Sequence, residues 1–281
     1  MHEGDDLYGL IASGGESLAE EDLSQEQTDA LCYWAEHPWN FLTGMWPLMG
    51  TRTNPSRPII WTMDQWDKQA KPFPSIGYEY LKEAILTPIF APPEGAFPAD
   101  VCTIFAINKS RKVLGTLGAT GGMFHEALDL GSLVGKPERI VQWQLLKQKK
   151  EESIKLIDDR MRFSYEHECF PEFLRRYRPL NKKPVGKVRF NRNVIYAVGQ
   201  NFSEAKGETT DTIIDECVEL RGLRQIVNDA RPQTRRLVLI ATPPEPGRRG
   251  QDQDSVQFFR EIIGDVKPIE DVAIFEMEST A

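Results

Sequence analysis

The 281-residue sequence contains little cysteine, no long apolar run and no overall excess of basic residues. Its four cysteines are spread along the chain without a CxxC pair, which argues against a zinc site or a disulfide framework and favours a reducing compartment. No stretch approaches the roughly 18 apolar residues of a membrane-spanning helix. The acidic start, MHEGDDLYGL, lacks the basic and apolar regions of a secretory signal. We therefore expect a cytosolic protein that is neither secreted nor embedded in a membrane.

The charge of the sequence is acidic overall but basic in one region. The formal net charge is −8, which argues against a protein coated with nucleic-acid contacts. Between residues 145 and 192, however, there are 14 Lys and Arg against 7 Asp and Glu. This region includes a basic run that could contact DNA phosphates or a neighbouring subunit: Arg175, Arg176, Arg178, Lys182 and Lys183. The alternative is an ordinary solvated face of helices and loops.

The pattern of apolar residues divides the chain into three parts. Residues 1–27 are acidic and rich in Gly, Ser and Gln, which is typical of a flexible arm. In residues 28–250, helical patterns, including one from Val218 to Asp229, alternate with apolar strand patterns at 101–107, 139–146, 187–199, 212–216 and 235–244. Residues 251–281 are interpreted as a C-terminal helix and linker. The alternation predicts an α/β fold with a mostly parallel central sheet flanked by helices, and with ligands at the carboxyl ends of the strands.

Two adjacent carboxylates end one of the apolar strands. The sequence DTIIDE places Asp215 at the strand end and Glu216 directly after it. In nucleotide hydrolases the two acids of such a pair have different roles. The first acid organises the water shell of Mg²⁺, and the second aligns and deprotonates the attacking water. The alternative is a strand that meets the acidic N-terminus of a helix, where the helix dipole favours carboxylates.

The segment after the first apolar strand is laid out like a phosphate-binding loop. It reads NKSRKVLGT over residues 108–116 and lacks the usual GxxxxGK[ST] pattern. Phosphate binding needs inward-facing backbone N–H groups, a fixed cation, and a hydroxyl for Mg²⁺ at the start of a helix. The residues that could supply these features are Lys109, Ser110, Arg111, Lys112, Gly115 and Thr116. Arg111 is the expected main cation because its planar fork matches phosphate oxygens; the alternative is an ordinary basic turn.

The order of the motifs supports a nucleotide site. The loop follows one strand, the acidic pair ends a later strand, and a third strand ends in IATPP. This order is typical of P-loop NTPases of the additional-strand, RecA-like kind. Thr242, at the end of the third strand, would lie near the γ-phosphate and report hydrolysis to a moving element. Alternatively, it simply ends the strand before Pro-Pro.

Together these segments resemble the ATPase portion of the large terminase subunit of tailed bacteriophages, the motor that packages DNA into a procapsid. The deviant loop of that family has the form K-S-R-Q-x-x-x-[ST], and KSRKVLGT (109–116) matches it except at Lys112. The family has an R-G-x-T element before the acidic pair, and KGET (206–209) stands there, with Lys206 in place of Arg. The upstream HPWNFLT, the aromatic-rich turn CFPEFLRRYRP and the strand LIATPPEPG also fit. The resemblance covers about residues 30–250.

The resemblance implies ATP and Mg²⁺ as cofactors, with residues 28–250 as the motor domain. The roles that it assigns are phosphate binding by Arg111 with Lys109 or Lys112, Mg²⁺ binding by Thr116 and Asp215, catalysis by Glu216, and coupling of hydrolysis to movement by Thr242. The implied partners are double-stranded DNA, the portal protein and the small terminase subunit. The motor would form a homo-oligomeric ring in the host cytoplasm, docked transiently on the procapsid. A neighbouring subunit would supply an arginine, and the candidates are Arg221, Arg224 and Arg231.

Large terminases also carry a nuclease domain after the motor, whereas this sequence stops at Ala281. We therefore expect Mg²⁺-dependent ATPase activity without DNA cleavage, with the nuclease either removed or encoded separately. The acids at 252, 254, 265 and 271 are expected to lie on a linker and a surface helix and not in a metal site. Two alternatives to the terminase function are another P-loop DNA translocase or helicase fragment, and a nucleotide-binding scaffold with a degenerate, inactive loop.

Overall fold

The computed structural model describes residues 23–44, 81–97, 101–109, 115–166, 170–181, 185–200, 210–242 and 250–265. Outside these ranges lie residues 1–22 of the predicted arm, the loop residues 110–114, the KGET element and residues 266–281. Within them, no helix combines the length and the apolar character needed to cross a membrane.

Seven strands of the described part form one sheet. They are β1 Thr103–Asn108, β2 Gln142–Leu146, β3 Leu180–Asn181, β4 Lys187–Phe190, β5 Asn193–Val198, β6 Asp211–Asp215 and β7 Arg236–Ala241. Their order across the sheet is β1-β7-β6-β2-β5-β4-β3. The first five strands in this order run parallel to one another. At one edge of the sheet, β4 pairs antiparallel with β5, and β3 pairs antiparallel with β4. The predicted α/β fold with a mostly parallel sheet is confirmed.

Helices cover both faces of this sheet. They are α1 Gln25–Glu36, α2 Pro38–Gly44, α3 Thr87–Phe90, α4 Gly115–Leu128, α5 Leu130–Leu133, α6 Lys150–Ile157, α7 Phe163–Glu166, α8 Glu172–Tyr177, α9 Leu223–Ala230 and α10 Gln253–Arg260. π-Helical turns precede α3 (Lys82–Leu86) and follow α6 (Asp158–Arg162) and α10 (Glu261–Asp265).

The central strands are buried on both sides. In β1, Phe105 and Ile107 join the core formed with α1 to α8, whereas Ile104 and Ala106 join a second core with α9 and α10. Strand residues alternate between the two faces, so a strand covered on both faces needs apolar residues at every position. This double burial explains the continuous apolar run at 101–107.

Two local predictions were wrong. The helix expected from Val218 begins only at Leu223, because a 3₁₀ turn at Cys217–Glu219 and a left-handed Gly222 (φ 71°) redirect the chain first. The segment expected as an aromatic-rich turn contains α8, whose Leu174 is fully buried. Its short helix forms because this apolar contact with the core outweighs the weak local pattern.

A buried arginine joins α4 to the amino-terminal ends of β6 and β7. Arg236 is 1% exposed, and its guanidinium donates one hydrogen bond of 2.8 Å to each carboxylate oxygen of Glu126. It also donates to Asp211 and to the backbone oxygen of Ile89, each at 2.8 Å. The indole N–H of Trp143 donates to Glu126 at 2.9 Å. Because every charge in this cluster is paired and hydrogen-bonded, its burial is tolerated.

Candidate functional site

Of the predicted site residues, those that the structure describes lie along the edge of the sheet where the parallel strands end: Lys109, Gly115, Thr116, Asp215, Glu216 and Thr242. β7 lies between β1 and β6, so one strand separates the segment after β1 from the acidic pair at the end of β6. The backbone N–H of Lys109 donates to the carbonyl oxygen of Ala241 at 2.9 Å, which holds the end of β1 against the end of β7. Thr242 follows β7 directly and is partly exposed at the same edge. The order of strands therefore brings segments far apart in sequence to one place.

Lys109 and Gly115 approach each other closely at the two ends of the predicted phosphate loop. A Cβ atom placed on Gly115 would lie 2.7 Å from the Cδ atom of Lys109. Such a distance is far below van der Waals contact, so the aliphatic part of Lys109 passes directly over the Gly115 backbone. A side chain at position 115 would therefore require the Lys109 side chain to move. The predicted site residues Ser110, Arg111 and Lys112 lie outside the described residues.

Thr116 and Asp215 form the central contact of the site. Thr116 is in the first turn of α4, and its hydroxyl donates a hydrogen bond of 2.8 Å to Oδ1 of Asp215, 99 residues later in the sequence. Asp215 is the last residue of β6 and is 2% exposed. The two residues predicted to bind Mg²⁺ are therefore in direct contact.

Lys147 is a site residue that the sequence reading missed. It follows β2 directly, and its Nζ lies 2.8 Å from Oδ2 of Asp215 and 2.6 Å from Oε2 of Glu216. Burial lowers the pKa of Lys147, but the charges of the two carboxylates and the hydrogen bonds to them outweigh burial and raise this pKa above its ordinary value. The only sequence signal was a lysine at a strand end. Its meaning depended on β2 being the neighbour of β6, which the sequence does not reveal.

Glu216 has an unusual backbone conformation. Its φ of 55° and ψ of 41° lie in the left-handed region, which costs a non-glycine residue about 1 kcal/mol or more. In a continuing strand, its side chain would point to the face opposite that of Asp215. The left-handed turn instead lets both carboxylates reach the same ammonium group. The side chain of Glu216 is 45% exposed, so it remains open to solvent while Asp215 does not.

The Thr116–Asp215 pair fits a magnesium ion chemically. Mg²⁺ prefers oxygen ligands and is commonly bound through one or two carboxylates together with nucleotide phosphates. A threonine hydroxyl that donates its proton to Asp215 keeps both lone pairs for another partner. Across the described ranges, no group of three or more His, Cys, Asp or Glu side chains forms a metal site by itself. Thr116, Asp215 and, through water, Glu216 are the residues that could hold the ion.

Part of the basic run predicted as a possible DNA or subunit contact has a structural role. Arg178 is buried, and its guanidinium donates to the backbone oxygens of Leu128 at 2.6 Å and of Asp129 at 2.9 Å, at the end of α4. This arginine caps a helix and does not face a partner. Lys182 and Lys183 lie outside the described residues.

The two aspartates at the start of α10 lie on a surface helix, as predicted. Asp252 caps α10 by accepting a hydrogen bond of 3.0 Å from the backbone N–H of Ser255, and Asp254 is exposed in the first turn. Both positions are favourable for carboxylates because the N-terminus of a helix carries partial positive charge.

No family model matches the chain, and no curated protein matches it. The support for a function therefore comes from the residues at the carboxyl edge of the sheet.

Proposed function

We propose that this chain is the ATP-hydrolysing motor part of a terminase large subunit, which drives double-stranded DNA of a tailed bacteriophage into a procapsid. The observation that carries the proposal is the 2.8 Å hydrogen bond from Thr116 to Asp215. It joins the hydroxyl that follows the deviant loop to the first acid of the later acidic pair. A contact between these groups across 99 residues supports the interpretation that the two motifs belong to one site.

The proposed chemistry assigns a separate task to each group. Lys109 and Arg111 bind the triphosphate, and Thr116 and Asp215 hold Mg²⁺. When bound, Mg²⁺ neutralises charge on the β- and γ-phosphates. Glu216 orients the attacking water and accepts its proton, a task that suits an exposed carboxylate beside a buried one.

The strand order supports the additional-strand, RecA-like form of the P-loop fold. In that form, one strand lies between the loop-bearing strand and the strand with the acidic pair, and β7 has this position. Thr242 at the end of β7 is then close enough to both motifs to link phosphate release to a movement. Double-stranded DNA, the portal protein, the small subunit and further copies of the chain in a ring are the proposed partners.

Glu216→Gln tests the proposal. The amide cannot accept a proton from water, so we expect ATP hydrolysis to fall about 100-fold or more, with ATP binding within a few fold of wild type. Phosphate release at saturating ATP and Mg²⁺ measures the first quantity, and fluorescence anisotropy of a labelled ATP analogue measures the second. Glu138→Gln is the matched control, because Glu138 is a half-exposed glutamate paired with Arg192 at 3.6 Å. Hydrolysis that survives Glu216→Gln would refute the proposed mechanism.

One observation favours a second candidate, a nucleotide-binding scaffold without turnover. Lys147 already neutralises charge on both carboxylates, as would be expected where the metal and water no longer react. A wild-type chain that binds the labelled ATP analogue but releases no phosphate, with or without DNA, would support the scaffold. DNA-stimulated phosphate release would support the motor.

A further inference from the structure

Lys147 is held at the site from two directions. Its backbone N–H donates to the carbonyl oxygen of Val198 at 3.4 Å, which ties the end of β2 to β5. On the other side, Leu146 pairs with Ile214 in the parallel ladder of β2 and β6, so the next residue of each strand, Lys147 and Asp215, stand side by side. The side chain is 13% exposed. Its position therefore follows from the sheet itself and not from a mobile surface contact.

The ammonium group occupies the carboxylate oxygen that a metal would need. Oδ1 of Asp215 accepts from Thr116 at 2.8 Å, and Oδ2 accepts from Lys147 at 2.8 Å. Asp215 is 2% exposed, so little of its carboxylate is open to solvent beyond these two contacts. A divalent ion that binds Oδ2 of Asp215 therefore competes with the ammonium group for that oxygen.

We propose that Lys147 is a positioning residue that takes the place of the divalent cation in the nucleotide-free protein. Its ammonium group competes with the cation for Asp215 and also holds the carboxylate of Glu216 beside that of Asp215. This inference rests on the proposed function in taking Asp215 as the metal ligand. Metal binding to the nucleotide-free chain is then weak. Tight binding of the metal requires nucleotide as well, because the phosphates supply further ligands that offset the loss of the contact between Lys147 and Asp215.

Binding of Mn²⁺ to the nucleotide-free chain, measured by electron paramagnetic resonance, tests this inference. Lys147→Gln keeps a hydrogen-bond donor but removes the positive charge, so we expect Mn²⁺ to bind about tenfold more tightly or better than to wild type. Lys149→Gln is the matched control. It removes the same charge two residues away, from an exposed side chain that makes no capping hydrogen bond. The gain in Mn²⁺ affinity should disappear in the double variant that combines Lys147→Gln with Asp215→Asn.

The outcomes separate this inference from the proposed function. Mn²⁺ that binds wild type with ATP, but binds Lys147→Gln and Lys149→Gln equally weakly without ATP, would overturn the competition by Lys147 alone. Mn²⁺ that binds none of the proteins, even with ATP, would overturn the metal site and with it the proposed function.

A measurement on the unaltered chain keeps the inference testable if Lys147→Gln does not fold. Acetylation of individual lysines, followed by mass spectrometry, reports how freely each ammonium group can react. Lys147 should be acetylated more slowly than Lys149 in metal-free protein, and Mn²⁺ added together with ATP should raise the rate at Lys147 relative to Lys149 severalfold. An unchanged ratio of the two rates would contradict displacement by the metal.

Discussion

Glu126→Gln should greatly destabilise the fold, because it breaks the buried pair with Arg236. The two oxygens of Glu126 accept from two guanidinium nitrogens at 2.8 Å each, and the side chains of Glu126 and Arg236 are 2% and 1% exposed. The amide of glutamine has one acceptor oxygen, whereas the guanidinium of Arg236 donates to two. The substitution also removes a negative charge beside the buried guanidinium. Breaking such a pair costs about 3 to 5 kcal/mol. This is a large fraction of the free energy of unfolding of a typical domain, which is about 5–15 kcal/mol.

Urea unfolding followed by circular dichroism measures this loss. Glu138→Gln is the control, because its ion pair with Arg192 is 48% and 64% exposed and should contribute less than about 1 kcal/mol. Asp211 lies at the start of β6 and Asp215 at its end, about 13 Å apart at 3.3 Å per residue. The proposed binding of Mn²⁺ and ATP should therefore be retained in whatever fraction of the variant is folded. A free energy of unfolding equal to that of the control would refute the reasoning.

The pH dependence of the same variant gives an independent check. Burial raises the pKa of Glu126, but the charge and hydrogen bonds of Arg236 outweigh burial, so that this pKa is lowered from its ordinary value of 4.5. A lowered pKa contributes stability that is present above pH 4.5 and is lost as the pH falls through the lower value of the folded state. Below pH 4.5, wild type should therefore lose stability more steeply than Glu126→Gln.

Three further changes test other parts of the fold. Burial lowers the pKa of His125 from 6.5 to about 4. The free energy of unfolding of wild type, measured by urea titration, should therefore fall by about 3 kcal/mol between pH 6.5 and pH 4, and that of His125→Gln should fall by less. Gly122→Ala should be destabilising by about 1 to 3 kcal/mol, because its Cβ would lie 2.6 Å from two ring atoms of Phe90. Gly118→Ala should be neutral or stabilising by up to about 1 kcal/mol, since its nearest contact would be an ordinary 3.5 Å; equal melting temperatures for the two alanine variants would contradict this packing.

The strands and their faces could be predicted well from the sequence. The run at 101–107 is apolar at almost every position because both faces of its strand are buried, and that pattern is a local property. In the run at 139–146, polar residues interrupt the pattern, and the strand is shorter than predicted, at Gln142–Leu146. Short segments were predicted less well. The helix Glu172–Tyr177 depends on the contact of Leu174 with a distant core, which no window of sequence contains.

The contacts among the candidate residues could be predicted in part. Thr116 and Asp215 could be recognised because each lies at the end of its own element, where loops and strand ends carry chemistry. Lys147 could not be recognised, since its role depends on β2 standing beside β6. The left-handed turn at Glu216 is also invisible in a sequence that reads as a simple continuation of the strand.

By itself, the sequence determined the α/β class, the apolar strands and the acidic strand end, because the periodicity of side chains is a property of neighbouring residues. Only the tertiary structure decided that β7 separates β1 from β6, that Lys147 bridges Asp215 and Glu216, and that Arg178 caps a helix. The physical reason is that strand order and charge pairing are set by contacts between residues far apart in the chain. Many strand orders satisfy the same local pattern, and packing of the whole core selects one of them.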